Sequence, residues 1–130
     1  MKLFPEDNTA VVVAFYEAFS HAELDAFDVI LSPSWVNHPA DPGHESTPEG
    51  FSKGVLDFHT AFEDFHITRD ALVAQGDFVV CRITMTGRHV GRLGNWLPDG
   101  KLKTFYGMDM HRLKYGRIEE TWHFERMGND

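Results

Sequence analysis

The sequence predicts an α+β domain with an antiparallel-rich sheet, and three observations carry that prediction. Apolar residues recur at three- and four-residue spacing through the first half of the chain. From His66 onward the period changes to two. Two glycine-containing dipeptides, Gly76-Asp77 and Tyr115-Gly116, interrupt the period-two half where hairpins would turn. Helices first and strands afterwards argue for segregated layers rather than an alternating βαβ array.

The first helix follows the polar start Asp7-Asn8-Thr9 and presents Val12, Phe15, Tyr16 and Phe19 on one face. A second, short helix is marked by Leu24, Phe27, Asp28 and Leu31 and stops before Ser32-Pro33-Ser34, where proline cannot continue the hydrogen-bond ladder. A third starts at Ser46-Thr47-Pro48-Glu49, with Ser46 and Glu49 at capping-box spacing and Phe51, Val55, Phe58 and Phe62 as its apolar stripe. Between these two helices, residues 35–44 are rich in Pro and Gly and read as a loop after at most a short strand. Extended segments follow at 66–75, 78–90, 101–113 and 117–126. Counting back from a Tyr115-Gly116 turn pairs Lys114 with Arg117, Leu113 with Ile118, His111 with Glu120 and Asp109 with Trp122, which places the last four side chains on one face.

At 130 residues, with no repeat, linker or low-complexity segment, one domain over 1–130 is expected. The net charge of −8 and the absence of a Lys/Arg cluster make nucleic acid and anionic membrane poor partners. No apolar stretch is long enough for a membrane span or a secretory leader, so a cytoplasmic location is expected. The single cysteine, Cys81, sits in the apolar run Phe78-Val79-Val80-Cys81 and reads as a buried, inert thiol. Eleven Phe, three Trp and three Tyr are many rings for so short a chain, a surplus that fits either a ring-lined cavity or simply a Phe-rich core.

No Gly-rich phosphate loop, Gly-x-Ser-x-Gly elbow or His-Glu-x-x-His helix is present, which removes nucleotide, serine-hydrolase and zincin chemistry. The histidines match no ligand spacing; His38, His44 and Asp41 are the nearest approach to a metal set, and no metal site is assigned. Asp109 is the most informative residue, because aspartate is depleted inside strands and this one stands in Phe105-Tyr106-Gly107-Met108-Asp109-Met110-His111. Facing a sheltered cavity, its carboxyl would be pushed towards neutral pKa and become a general base; facing solvent, or paired with Arg112 or His111, it would be structural. His111 and Glu120 are either a dyad or a surface pair, Trp122 is a core or platform ring, and His89 stands at a pocket mouth or in a solvated loop.

Between Asp64 and Trp122 the chain carries Gly76-Asp77-Phe78-Val79-Val80-Cys81-Arg82, Thr86-Gly87-Arg88-His89-Val90-Gly91, Pro98-Asp99-Gly100-Lys101, Asp109-Met110-His111-Arg112, and Gly116-Arg117-Ile118-Glu119-Glu120-Thr121-Trp122. In this order and spacing, with Asn37-His38-Pro39 and Gly50 upstream, they resemble the SnoaL-like polyketide cyclases of the nuclear-transport-factor-two-like superfamily. Asp99 stands where that family has Thr, and His123 where it often has an acidic residue. The resemblance implies a cystatin-like cone of three N-terminal helices on a strongly curved mixed, mostly antiparallel sheet, with no cofactor. It further implies a homodimer through the sheet and a deep pocket for a hydrophobic carbonyl compound, turned over by intramolecular aldol condensation or by related acid/base lyase or isomerase chemistry. By the same resemblance Asp109 is the catalytic acid/base and His89, His38 and Trp122 stand at pocket positions; His89 is further expected to be catalytic, and Trp35, Phe58, Phe62, His111 and Glu120 to line the pocket with them. A non-catalytic binder of hydrophobic small ligands is the alternative, since one fold hosts both.

Overall fold

The computed structural model describes residues 5–128, so most of the N-terminal segment 1–7, where no secretory leader is expected, lies outside the described residues. Helix α1 (Pro5–His21) is followed by a 3₁₀ turn (Leu24–Ala26), helix α2 (Phe27–Ile30), strand β1 (Leu31–His38) and helix α3 (Pro48–Ala61). Strands β2 (Phe62–Gln75), β3 (Phe78–His89), β4 (Leu102–Lys114) and β5 (Arg117–Met127) complete the chain. The five strands form one sheet in the order β1-β5-β4-β3-β2, with β1 parallel to β5 and every other pair antiparallel. Three helices on a mixed five-stranded sheet make the α+β fold expected from the periodicity.

The helical stripe of α1 is buried as its spacing requires: Val12, Phe15 and Tyr16 are at most 3% exposed and pack with Phe27, Phe51 and Val55. On the sheet, alternate residues turn inward, Val79, Cys81, Ile83 and Met85 from β3 and Phe105, Asp109, His111 and Leu113 from β4. Both predicted hairpins form. Gly76 has φ 57°, and Tyr115 and Gly116 have φ 53° and 78°, the positive values that two-residue turns between twisted strands demand. No helix among the described residues is long and apolar enough to cross a membrane.

Four local readings change. The segment Leu31–His38 is a strand, although residues 35–38 read as loop and Leu31 as helix. Pro33 is tolerated because β1 is an edge strand, where its missing N–H leaves no ladder partner unsatisfied. The cap of α3 is Thr47, whose Oγ1 accepts from Gly50 N at 3.0 Å; Ser46 instead ties the loop to β1 by donating to Asn37 O at 2.8 Å and accepting from Asn37 N at 2.7 Å. Phe62 opens β2 rather than closing α3.

The fourth change concerns register. Lys114 faces Arg117 and Leu113 faces Ile118 as counted, but a bulge then places Arg112 opposite Glu120, His111 opposite Thr121 and Asp109 opposite His123. Glu119 is the extra residue; its carboxylate accepts a hydrogen bond from Ser34 Oγ at 2.9 Å. Because side chains alternate, that single residue exchanges the two faces of β5. Thr121 and His123 therefore share the inner face with Asp109, while Glu120 and Trp122 point to the other side. Similar irregularities interrupt the register of β2 against β3 at Glu63/His66 and Arg69/Ala71.

Candidate active site

Between α1, α3 and the inner face of the sheet lies a cavity of about 460 Å³. Phe15, Phe19, Phe51, Phe58 and Phe105 supply most of its wall, with Ile83 and Met85 from β3; Pro39, Ala40, Asp41 and Pro42 line it from the loop after β1. Pro39 and Pro42 are exposed, so this loop marks the side open to solvent. The few polar groups on the wall are Asp109, Tyr16, Asn37, Asp41, Thr121, His123 and Glu125. A mainly apolar wall with a few convergent polar atoms is what a small-molecule site requires.

Asp109 is 5% exposed. Its Oδ2 accepts a hydrogen bond of 2.6 Å from Tyr16 Oη, whereas Oδ1 is buried without a hydrogen-bond partner among the described residues. Burial pushes the Asp109 carboxyl up to about 7; the nearby Glu125 adds to the rise, and the Tyr16 bond and His123 oppose it. The phenol of Tyr16 is held well above its ordinary value, by burial and then by the Asp109 carboxyl, so it remains a neutral donor. Tyr16 Oη also lies 2.8 Å from His111 Nε2.

Across the ladder from Asp109, His123 donates through Nε2 to Pro39 O at 2.6 Å and through Nδ1 to the Glu125 carboxylate at 2.7 Å. Burial alone would lower its pKa, but Glu125 and the Pro39 carbonyl outweigh it and raise the value to about 9. The wall therefore carries a fixed imidazolium beside a carboxyl poised near neutrality. Asp41 also titrates above its ordinary value because of burial, and its carboxylate rests against α3 at Gly54, where a side chain would collide with it.

Of the residues expected at the site, Asp109 and Phe58 stand on the cavity wall. Trp35, Phe62 and His111 lie behind it, each at most 2% exposed. His89 is fully buried away from the cavity, its ring 4.8 Å from Phe62 and 4.3 Å from Trp96, with neither ring nitrogen partnered among the described residues. The pocket-lining reading of Glu120 and Trp122 is corrected by the bulge, and that of His38 by its place on β1 opposite Trp122. All three sit on the outer face, where His38 stacks on Trp122 at 5.4 Å and meets Glu120 at 2.7 Å, and Arg112 meets the same carboxylate at 3.1 Å. The histidines weighed for metal do not converge: His38 is on that outer face and His44 pairs with Asp57 at 2.6 Å. Among the described residues no group of three or more His, Cys, Asp and Glu side chains could hold a metal ion.

Tyr16, Thr121 and His123 were not singled out for the site by sequence reasoning. Tyr16 carries the one hydroxyl on the helix stripe Val12, Phe15, Tyr16 and Phe19, a signal that could have marked it. Thr121 and His123 were hidden by the register slip.

The helices and the sheet thus enclose an aromatic cavity around a buried carboxyl in an α+β fold. Residues 10–127 match the family model described as SnoaL-like polyketide cyclase, and the chain belongs to that family. Among solved structures it is similar to TsrD from Streptomyces laurentii, with 24% identity, a TM-score of 0.83, and coverage of 97% of this chain and 91% of that one. It is likewise similar to IdmH from Streptomyces antibioticus, at 25% identity and a TM-score of 0.78, with 91% of each chain covered. A protein with a ketosteroid isomerase-like fold from Catenulispora acidiphila shares the architecture at 16% identity and a TM-score of 0.70, over 88% of this chain and 83% of the other. No functionally curated protein matches the chain significantly.

Proposed function

We propose that this protein is an acid/base enzyme that closes a ring in a hydrophobic polycarbonyl compound, with Asp109 as the base. The observation that supports this reading most is the Asp109 carboxyl itself, one oxygen fixed by Tyr16 and the other without a hydrogen-bond partner among the described residues, on the wall of a cavity built of phenylalanine rings. Near neutral pH a substantial part of it is ionised, the condition under which a carboxylate is most effective in taking a proton from carbon. In the reaction the proton next to a substrate carbonyl passes to Asp109 and the C–H electron pair enters the enolate. The enolate carbon then bonds to a second carbonyl carbon of the same molecule, and the resulting alkoxide regains the proton. The imidazolium of His123 favours the negative charge that develops on the way.

Incubation with an open-chain aromatic polyketide ester in deuterated water tests this reading by mass spectrometry and NMR. A cyclised product of unchanged composition apart from deuterium exchange is expected. Saturable binding with no enzyme-dependent conversion would leave a ligand-binding protein instead.

A homodimer through the outer face of the sheet belongs to the same proposal. On that face Tyr106, Met108 and Met110 of β4 and Phe124 of β5 are 37%, 48%, 37% and 77% exposed, a row too apolar to stand in water on a small monomer. A two-fold contact burying about 800 Å² per subunit would cover it. Light scattering after size exclusion should give twice the chain mass of 14.8 kDa, and Met108→Lys should halve it. A wild-type monomer would refute the assembly.

A further inference from the structure

From Asp109 the hydrogen bonds continue through Tyr16 to His111 behind the wall, return to the wall at Thr121 and end on Trp35, and the donors available to each group decide which way they run. Trp35 Nε1–H can only donate, and it lies 3.0 Å from Thr121 Oγ1. Thr121 Oγ1 is 2.9 Å from His111 Nδ1, His111 Nε2 is 2.8 Å from Tyr16 Oη, and Tyr16 Oη is 2.6 Å from Asp109 Oδ2. Burial lowers the His111 pKa to about 3, with the charge of His123 adding to the effect, so the ring carries one N–H. With the indole donating to Thr121, the threonine proton goes to Nδ1 and the ring proton sits on Nε2, directed at Tyr16. The phenolic proton is then left for Asp109. Each donor is used once. In the opposite sense Thr121 would accept from both neighbours and its own proton would find no acceptor among the described residues, a condition buried hydroxyls rarely show.

We propose that Trp35, Thr121 and His111 are positioning residues that lock this chain in one direction, holding the Tyr16 proton on Asp109 Oδ2 and leaving Oδ1 as the atom that takes and returns the substrate proton. This rests on the reading of Asp109 as the base. When the substrate C–H bond breaks, its electron pair stays with the enolate and the proton bonds to Oδ1. The Tyr16 bond to Oδ2 persists, no proton moves along the chain, and His111 keeps one tautomer throughout. The other titratable groups acting on Asp109 are Glu125 and His123 from β5 and, across the ladder on β3, Cys81, whose thiol is pushed up to about 11 chiefly by burial and is therefore neutral.

Nitrogen and carbon NMR of the labelled protein reads the arrangement directly. From about pH 5 to about pH 8, a range that charges an ordinary histidine, His111 is expected to stay neutral, protonated at Nε2 and bare at Nδ1, while Asp109 titrates. Thr121→Val should release the ring into a mixture of tautomers and raise the Asp109 midpoint by roughly half to one unit, about a three- to tenfold gain in proton affinity. Thr121→Ser should restore both readings, and Trp35→Phe breaks the chain independently if the valine variant does not fold. A wild-type His111 protonated at Nδ1 would overturn the proposal, as would an unmoved tautomer and midpoint in the variants that break the chain. None of these readings uses a substrate, so a locked chain in a protein without turnover would count against the cyclase reading alone.

Discussion

Replacing Asp109 with asparagine should lower the rate of enolate-forming turnover by about 10²–10⁴-fold, the usual worth of a positioned general base. The amide is close to isosteric and its oxygen can still accept from Tyr16 Oη, so the cavity keeps its shape and only the proton acceptor is lost. In the wild type kcat/KM should rise with pH through about 7, because the ionised carboxylate is the active form and its midpoint lies there. The variant should show neither the rise nor the plateau. A rate profile that Asp109→Asn leaves unchanged would remove Asp109 from the chemistry.

The same substitution should stabilise the fold at alkaline pH. A carboxyl at about 7 in the folded protein against 3.8 ordinarily binds more protons folded than unfolded between those values, so stability falls as pH rises through that window. The full cost is present above pH 7, and three units at ~1.4 kcal/mol each set it at about 4 kcal/mol. Urea denaturation of wild type and Asp109→Asn at pH 8 should differ by up to that amount, the variant being the more stable, and the gap should close towards pH 4. Taking the difference between the two proteins matters because other groups also titrate. His111, depressed to about 3, costs stability as pH falls below 6.5, and His123, raised to about 9, contributes stability that is lost as pH climbs through 9. Equal stability at pH 8 would mean that the Asp109 carboxyl is not the strained group its burial implies. The site would then trade less stability for reactivity than expected.

Much of the architecture was legible because it rests on local rules. The stripe from Val12 to Phe19, the change to period two and the two hairpin turns follow from residue spacing and backbone preference, and each forms as read. Asp109 was legible for a similar reason, as the one acidic residue in the otherwise apolar and aromatic stretch from Phe105 to Met110. What the chain did not reveal depends on contacts between distant segments. Leu31–His38 is a strand because β5 offers it an edge, although Pro33 argues against one locally. His89, at the end of an extended segment beside glycines, was read as a catalytic residue at a pocket mouth or as a solvated one, and is instead enclosed by Phe62 and Trp96. Glu120 and Trp122 were assigned to the wrong face because turn chemistry fixes only the first two pairs of the hairpin, and nothing in the local pattern announces the extra residue at Glu119.

That extra residue gives the fold an evolutionary freedom. The strand Arg117–Met127 holds two interleaved alphabets, one with Thr121 and His123 that the cavity reads, and one with Glu120 and Trp122 that solvent or a neighbour reads. Gain or loss of one codon near the hairpin would exchange them, presenting a new acid and a new ring to the cavity on the same backbone. Descendants of one cone could thus change the chemistry of a whole wall in a single step, without passing through the intermediates that replacing each side chain in turn would require.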